Sequence, residues 1–420
     1  MSFKYMSYFF VRVFFTLLTG LFATLHSYPN NEIDAFLKAN QFQGVAFVAQ
    51  KGKILLNRGY GFANAEHQIS NSPQTVFRIG SITKLFTAVA ILQLQEKGLL
   101  NVKDPIVKYI PDYPHGDKIL IHYLLSHMSG IPSIYHFPNL LEIQRQPATL
   151  SQAMAHFKDL PLQFIPGHDC ASSDSGYIIL GAIIENVTGQ SYEAYLDKNI
   201  FRPLNLTATF YDYNHYVIPH RASGYQYKEG KLLHAPFIDM SLPHAAGALS
   251  STAEDLYKFD QALKGTALLS KVSLDALFTV HASNAENKIA SGYGFRIGPL
   301  NRGMEECESS IVGHFATIDG FEGAFIRYQN EDLTIILLSN LQKTDVRTFH
   351  KKIAAIFLSP WRFGASALRS NLYQSSIKFI YFLKNQKGEF PCLHLFIQNQ
   401  TVNIYLAKKL KRYLVKIKVN

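Results

Sequence analysis

Ser81 stands three residues ahead of Lys84 in RIGSITKLFTAVAILQLQEKG, residues 78 to 98. On a helix, positions i and i+3 share a face, so the lysine amine can reach the serine hydroxyl and take its proton. The N-terminus of that helix would add backbone amides and a positive dipole end where an oxyanion develops. A plainer account uses the same residues. Serine is a favoured N-cap, its hydroxyl accepting a bond from a free amide of the first turn, and Lys84 is then a solvated side chain. The spacing alone decides little, because Ser375 and Lys378 repeat it near the C-terminus with no other catalytic feature around them.

The elements that must position this pair are legible. Residues 82 to 97 show helical periodicity with no Pro or Gly until Gly98, which sets Ser81 at or beside a helix start. NEIDAFLKAN (31 to 40) reads as an amphipathic helix, and GVAFVAQKGKILLNRGYGFAN (44 to 64) as two strands turning at Lys51-Gly52. Helical runs recur at 176 to 189 and 251 to 263, among loops rich in Pro and His. GAFIRYQNEDLTIILLSN (323 to 340) reads as a second hairpin turning at Asn330-Glu331, and 344 to 358 as a closing helix. Strands at both ends with helices between and after predict one antiparallel sheet built from the two ends, carrying an inserted helical lobe.

Composition bounds the rest. The chain has 420 residues, 47% hydrophobic and 17% charged, which is globular rather than disordered. Cys170, Cys307 and Cys392 lack CxxC spacing and are too few for a disulfide framework or a metal cluster. The 16 histidines show no H-x-x-x-H or H-E-x-x-H spacing with a nearby acid that would make a ligand set, and no phosphate-binding glycine loop is present. No cofactor is expected. The net charge of +10 lies entirely in residues 361 to 420, which hold eleven Lys or Arg and one acid, Glu389. The remaining body is neutral, which argues against nucleic acid as a partner. Lys4 and Arg12 precede the apolar VFFTLLTGLFATL (13 to 25), so residues 1 to 27 read as an export signal. Leu25 and Ser27 make a poor small-x-small cleavage site, so an uncleaved anchor stays open.

Several stretches then fall into one order. Ser81-Ile-Thr-Lys84 is followed by LLSHMSGIP (124 to 132), by FIPGHDCASSDSGYIILGAIIENVTGQSYEAYLDKNIFRPLNL (164 to 206) and by AAGALSSTAEDLYKF (245 to 259). GHFATIDGFEGAF (313 to 325) and LTIILLSN (333 to 340) complete the set. Together they resemble the serine β-lactamase and penicillin-binding-protein superfamily, in the class C-like branch that includes esterases and D-aminopeptidases. The resemblance spans roughly residues 30 to 358. It implies an α/β (α+β) fold of the β-lactamase/DD-peptidase type, with residues 28 to 360 as the hydrolase domain and 361 to 420 as a basic extension.

Two of the branch's three motifs are altered here. Its YSNSGY-like stretch reads SSDSGY (172 to 177), which sets Ser172 where the branch has a proton-shuttling tyrosine and Asp174 where it has asparagine. A serine relay is compatible with the chemistry. Asp174 is harder to accommodate: an ionised carboxylate only accepts hydrogen bonds, and near Lys84 it favours the ammonium over the free base. The third motif, His-x-Gly, reads His314-Phe315-Ala316, with Ala316 and Thr317 narrowing the approach to the strand and Asp319 in place of a usual proline. The resemblance implies Ser81 as nucleophile, Lys84 as base, Ser172 as relay and His314 as an aid across the pocket. Asp174, Ala316 and Thr317 would line the substrate, and the amides of Ser81 and Thr317 would form the oxyanion hole.

The expectation is therefore an exported or periplasmic serine hydrolase acting on an ester, a D-amino-acid amide or a β-lactam-like compound, with efficient β-lactam hydrolysis the least expected. A catalytically impaired envelope-binding protein is the contrasting expectation. Small-molecule or peptidoglycan-type substrates are the expected partners, with membrane-surface contact through the N-terminal segment or the basic tail. Phe315 and Ala316 closing the cleft would favour the binding protein.

Overall fold

The computed structural model describes residues 29–284, 289–299 and 310–358, and strands at 379–382, 393–397, 400–409 and 412–419. The expected export segment, residues 1 to 27, lies outside the described residues. The chain divides into two compact units, residues 1–354 and 355–420.

In the first unit the sheet begins with β1 (Gly44–Gln50) and β2 (Lys53–Tyr60). The turn between them has φ +51° at Lys51 and +76° at Gly52. Positive φ at both central residues gives the backbone twist that a two-residue hairpin needs. The sheet resumes late in the chain with β3 (Ala282–Asn284), β4 (Ile289–Ser291), β5 (Arg296–Pro299), β6 (Ser310–Ile318), β7 (Phe321–Tyr328) and β8 (Leu333–Ser339). The order across it is β3-β4-β5-β6-β7-β8-β1-β2, every pair antiparallel. The chain's two ends thus join at β8 and β1, Phe47 opposite Ile336, as the two hairpin signatures predict.

β8 is buried along its whole length and β1 up to Ala49, which explains their nearly continuous apolar runs. One face is covered by α1 (Pro29–Ala39) and α6 (Val346–Leu358), whose Phe36 and Phe349 rings lie 5.6 Å apart. The other face packs on α5 (Ala253–Ala262), with Tyr257 against Phe47 of β1 at 4.8 Å. α2 (Thr83–Glu96) is buried from Thr83 through Leu94, and its Phe86 stacks on Phe259 of α5 at 4.0 Å. A helix enclosed on all sides is apolar all round; Lys84 is the one charged residue of that buried stretch. The helical lobe is centred on α3 (Asp174–Thr188), which packs directly on α2 and on the short helix α4 (His244–Gly247).

The second unit is an antiparallel meander of β9 (Phe379–Phe382), β10 (Leu393–Ile397), β11 (Gln400–Lys409) and β12 (Arg412–Val419).

Candidate active site

Gly80, at φ +45°, turns the chain out of a short strand (Phe77–Arg78) into a single 3-10 turn, Gly80–Ile82, that runs into α2. A side chain at Gly80 would stand 3.4 Å from the Thr317 carbonyl and from Ile318, so this turn lies against the end of β6. Ser81 therefore sits at a helix start, but it is not a cap: neither the turn nor α2 has a side-chain cap. Its Oγ lies instead 2.7 Å from Lys84 Nζ. The capping account of Ser81 does not describe this structure.

Lys84 is almost wholly enclosed, and its Nζ has three neighbours. They are Ser81 Oγ at 2.7 Å, Asp174 Oδ1 at 2.7 Å and the Ala246 carbonyl at 3.0 Å. Three acceptors match the three donors of an ammonium. With a neutral amine the same geometry works once the Ser81 proton points at Nζ. The Ala246 carbonyl reaches Nζ because α4 presses against α3 at Gly181, where an added Cβ would meet His244 Nδ1 at 2.6 Å.

Asp174 is the first residue of α3, after the cap Ser173, whose Oγ accepts from Gly176 N at 3.3 Å. Both carboxylate oxygens are engaged, Oδ1 by Lys84 and Oδ2 by the Ser133 hydroxyl at 3.0 Å. The Asp174 amide donates back to Ser133 Oγ at 3.2 Å, and Ile134 N donates to Ser175 Oγ at 2.9 Å, so residues 133–134 are tied to the start of α3. Burial pushes the Asp174 carboxyl up, but the Lys84 charge and the Lys84 and Ser133 hydrogen bonds outweigh it, and the group titrates below the ordinary range. Asp174 is thus an ionised partner of the lysine, with no donor to offer a substrate carbonyl.

The other expected residues separate into two groups. Ser172 and His314 line one small cavity of about 10 Å³ with His127, Cys170, Ser291 and Arg296. Ser81 and Lys84 are outside its lining, and Ser172 is exposed and makes no hydrogen bond to either of them. A serine side chain is too short to span what a tyrosine spans, so the hydroxyl stays at the rim. His314 is 6% exposed, with Nδ1 2.5 Å from the Phe315 carbonyl. Burial, followed by the Lys84 and Arg296 charges, holds its imidazole well below the ordinary histidine range.

Of the residues expected to narrow or close the approach, Phe315 and Ala316 turn to different neighbours. Residues on β6 alternate between faces. Phe315 turns toward α6, its ring 5.2 Å from His350 with the Arg347 guanidinium 4.0 Å above it. Ala316 is buried opposite Gly323 of β7; a Cβ on that glycine would stand 3.2 Å from both the Ala316 methyl and Ile82. The methyl thus packs inward, over space the neighbouring glycine leaves. Thr317 is exposed, with Oγ1 2.7 Å from Glu322. β5 pairs with β6 only from Ser310 to Gly313, so the side of 314–318 away from β7 carries no strand among the described residues. Asp319, after β6, accepts from Gln144 at 2.6 Å and pins the β6–β7 turn to the helical lobe.

Sequence reasoning assigned no role to His127, Ser133 or the Ala246 carbonyl. His127 lies within the LLSHMSGIP stretch, whose spacing carries no chemistry until the loop is folded against α3. Among the described residues no group of three His, Cys, Asp or Glu side chains could hold a metal ion, and no helix is long and apolar enough to cross a membrane.

Residues 30–357 match the Beta-lactamase family model. PbpX of Bacillus subtilis (strain 168), named for penicillin binding, is 36% identical over 316 residues that cover 74% of each chain. Among solved structures, a penicillin-binding protein from Bacillus halodurans is 26% identical, with a TM-score of 0.68 over 77% of this chain and 98% of that one. The D-amino acid amidase from Ochrobactrum anthropi SV3, complexed with L-phenylalanine amide, is 25% identical, with a TM-score of 0.67 over 79% and 99%. With the matched region spanning the whole sheet and helical lobe, the chain belongs to the beta-lactamase family of serine hydrolases.

Proposed function

We propose that the protein is a serine hydrolase in which Ser81 forms an acyl-enzyme with an ester or a D-amino-acid-containing amide, small or peptidoglycan-derived. The observation that carries this reading is the 2.7 Å contact between Lys84 Nζ and a serine hydroxyl that caps nothing. In the proposed cycle Lys84 takes the Ser81 proton as Oγ attacks the acyl carbon, and the amides of Ser81 and Thr317 hold the oxyanion. Ser172 and His314 carry protons on the far side, and the substrate lies along the side of 314–318 away from β7. The amidase and penicillin-binding names of the similar proteins support acyl transfer to serine as the reaction class. Altered second and third motifs weigh against efficient β-lactam hydrolysis. The composition of residues 1 to 27 supports export to the cell envelope, where the basic residues 361 to 420 would favour anionic surfaces.

One observation favours a second reading, a family member that binds envelope components without turnover. Lys84 is ion-paired with Asp174, and an ammonium accepts no proton. Intact mass after exposure to a fluorophosphonate, and separately to a penicillin, decides between them, with Ser81→Ala as control. A stoichiometric adduct on Ser81 supports the hydrolase. Folded protein unmodified by both reagents supports the binding protein.

A further inference from the structure

The cavity beside Ser172 contains two imidazoles in opposite states. His127, 8% exposed, receives the Ser173 backbone N–H on Nδ1 at 3.3 Å. Its Nδ1 is therefore the unprotonated nitrogen, and in the neutral ring the proton is on Nε2. His314 is the reverse. Its Nδ1 lies 2.5 Å from the Phe315 carbonyl, which only accepts, so Nδ1 bears the proton and Nε2 the lone pair. Both rings line the same cavity, and among the described residues neither Nε2 meets a hydrogen-bond partner. One donor and one acceptor thus serve a space of about 10 Å³, which is the size of a single water. The Ser172 hydroxyl stands at the same wall.

Each ring is kept neutral by what surrounds it. Burial is the largest cause for both, taking His127 down to about 3. The Lys84 and Arg296 charges add to it on both rings, while Asp174 pulls His127 the other way. The Cys170 thiol at the cavity wall is raised by burial and stays protonated at neutral pH.

We infer that this cavity is a one-water site in which His127 Nε2–H donates to the water oxygen and the water donates to His314 Nε2, and that it relays the proton of the deacylation step. The inference rests on the hydrolase reading. A second water in the cleft attacks the acyl carbon, forming the new C–O bond, and gives its proton to the cavity water. That water passes one of its own protons to His314 Nε2. The C–Oγ bond to Ser81 then breaks, and Oγ takes a proton from Lys84. The imidazolium releases its proton to solvent, replacing the one the leaving group drew from solvent during acylation, and Lys84 is left neutral for the next cycle. His127 is a positioning residue in this scheme and His314 the acceptor.

The test has two independent arms. Long-range 15N–1H NMR spectra of the full chain, with His127→Gln and His314→Gln for assignment, read the tautomers directly. Nε2–H at His127 and Nδ1–H at His314 is the expected result, and the same tautomer in both overturns the site whether or not the protein is an enzyme. The kinetic arm uses an activated ester and time-resolved intact mass. His127→Phe should slow deacylation about 10- to 100-fold, with acyl-enzyme accumulating, while fluorophosphonate labelling of Ser81 stays within threefold. His127→Gln, which keeps an N–H donor, should recover part of the loss. Equal slowing of both steps, or no slowing, overturns the relay. An adduct-free wild type would instead overturn the hydrolase reading and leave the tautomer result standing.

Discussion

Replacing Asp174 by asparagine should make Ser81 react faster. Lys84 can receive the Ser81 proton only after giving up its own, and the charge that resists this release is the carboxylate 2.7 Å away. At that distance, and with an effective dielectric of about 20, Coulomb's law gives about 6 kcal/mol of attraction. Part of it is screened, because the Asp174 side chain is 19% accessible. Part is retained, because an Asn carbonyl still accepts from Nζ. If a third is lost in the variant, about 2 kcal/mol, acylation accelerates about 30-fold. The amide can also keep its contact with Ser133, donating to an Oγ that now donates to Asp174. Asp174→Asn should therefore fold, with a loss below the roughly 3–5 kcal/mol expected when a buried charge is left wholly unpaired. The assay is the rate of fluorophosphonate labelling of Ser81 by time-resolved intact mass, beside a thermal melt. A rate within threefold of the parent on well-folded protein would refute the idea that the ion pair restrains the base.

Stability should fall as pH drops from about 6.5 toward 4, because His127, His314 and His350 are all buried with lowered values, the last to about 4. Burial is the main cause in each. The unfolded chain binds these protons near 6.5 and the folded chain does not, so acid favours unfolding by up to about 1.4 kcal/mol per histidine per pH unit. Asp174 adds a loss only further down, as pH falls below the ordinary carboxylate range and through its own lowered value. Chemical denaturation at pH 7.5, 6 and 5 measures the slope; a flat profile between 7 and 5 would contradict neutral burial. Gly181→Ala should cost about 1–3 kcal/mol by pushing α4 off α3, and speed Ser81 labelling as the Ala246 carbonyl, an acceptor that favours the ammonium, leaves Lys84. Unchanged melting and labelling would count against that packing. Ala316→Gly should cost about 1 kcal/mol and leave labelling within twofold, since the methyl faces Ile82 and Gly323. A large gain in labelling would mean that the methyl does obstruct the cleft.

Much of the fold was determined by local sequence. Nearly continuous apolar runs at 44–50 and 333–339 specify buried strands, Lys51-Gly52 specifies a tight hairpin, and the run from Ile82 to Lys97 without Pro or Gly specifies the helix that carries Lys84. These features rest on periodicity and on backbone conformations that single residues allow. The serine–lysine pair was also visible, because i and i+3 geometry is a property of one helix. What the remaining site residues do was decided only by tertiary packing. Nothing in SSDSGY says that Asp174 reaches Lys84 while Ser172 stays at the rim; that follows from how the start of α3 packs against α2. Nothing in HFAT says that Phe315 faces α6 and Ala316 faces Ile82, since alternation fixes opposite faces but not which one meets the cleft. His127 and His314 lie 187 positions apart. Their opposed tautomers are set by the Ser173 N–H and the Phe315 carbonyl, backbone groups whose directions exist only once the chain has folded.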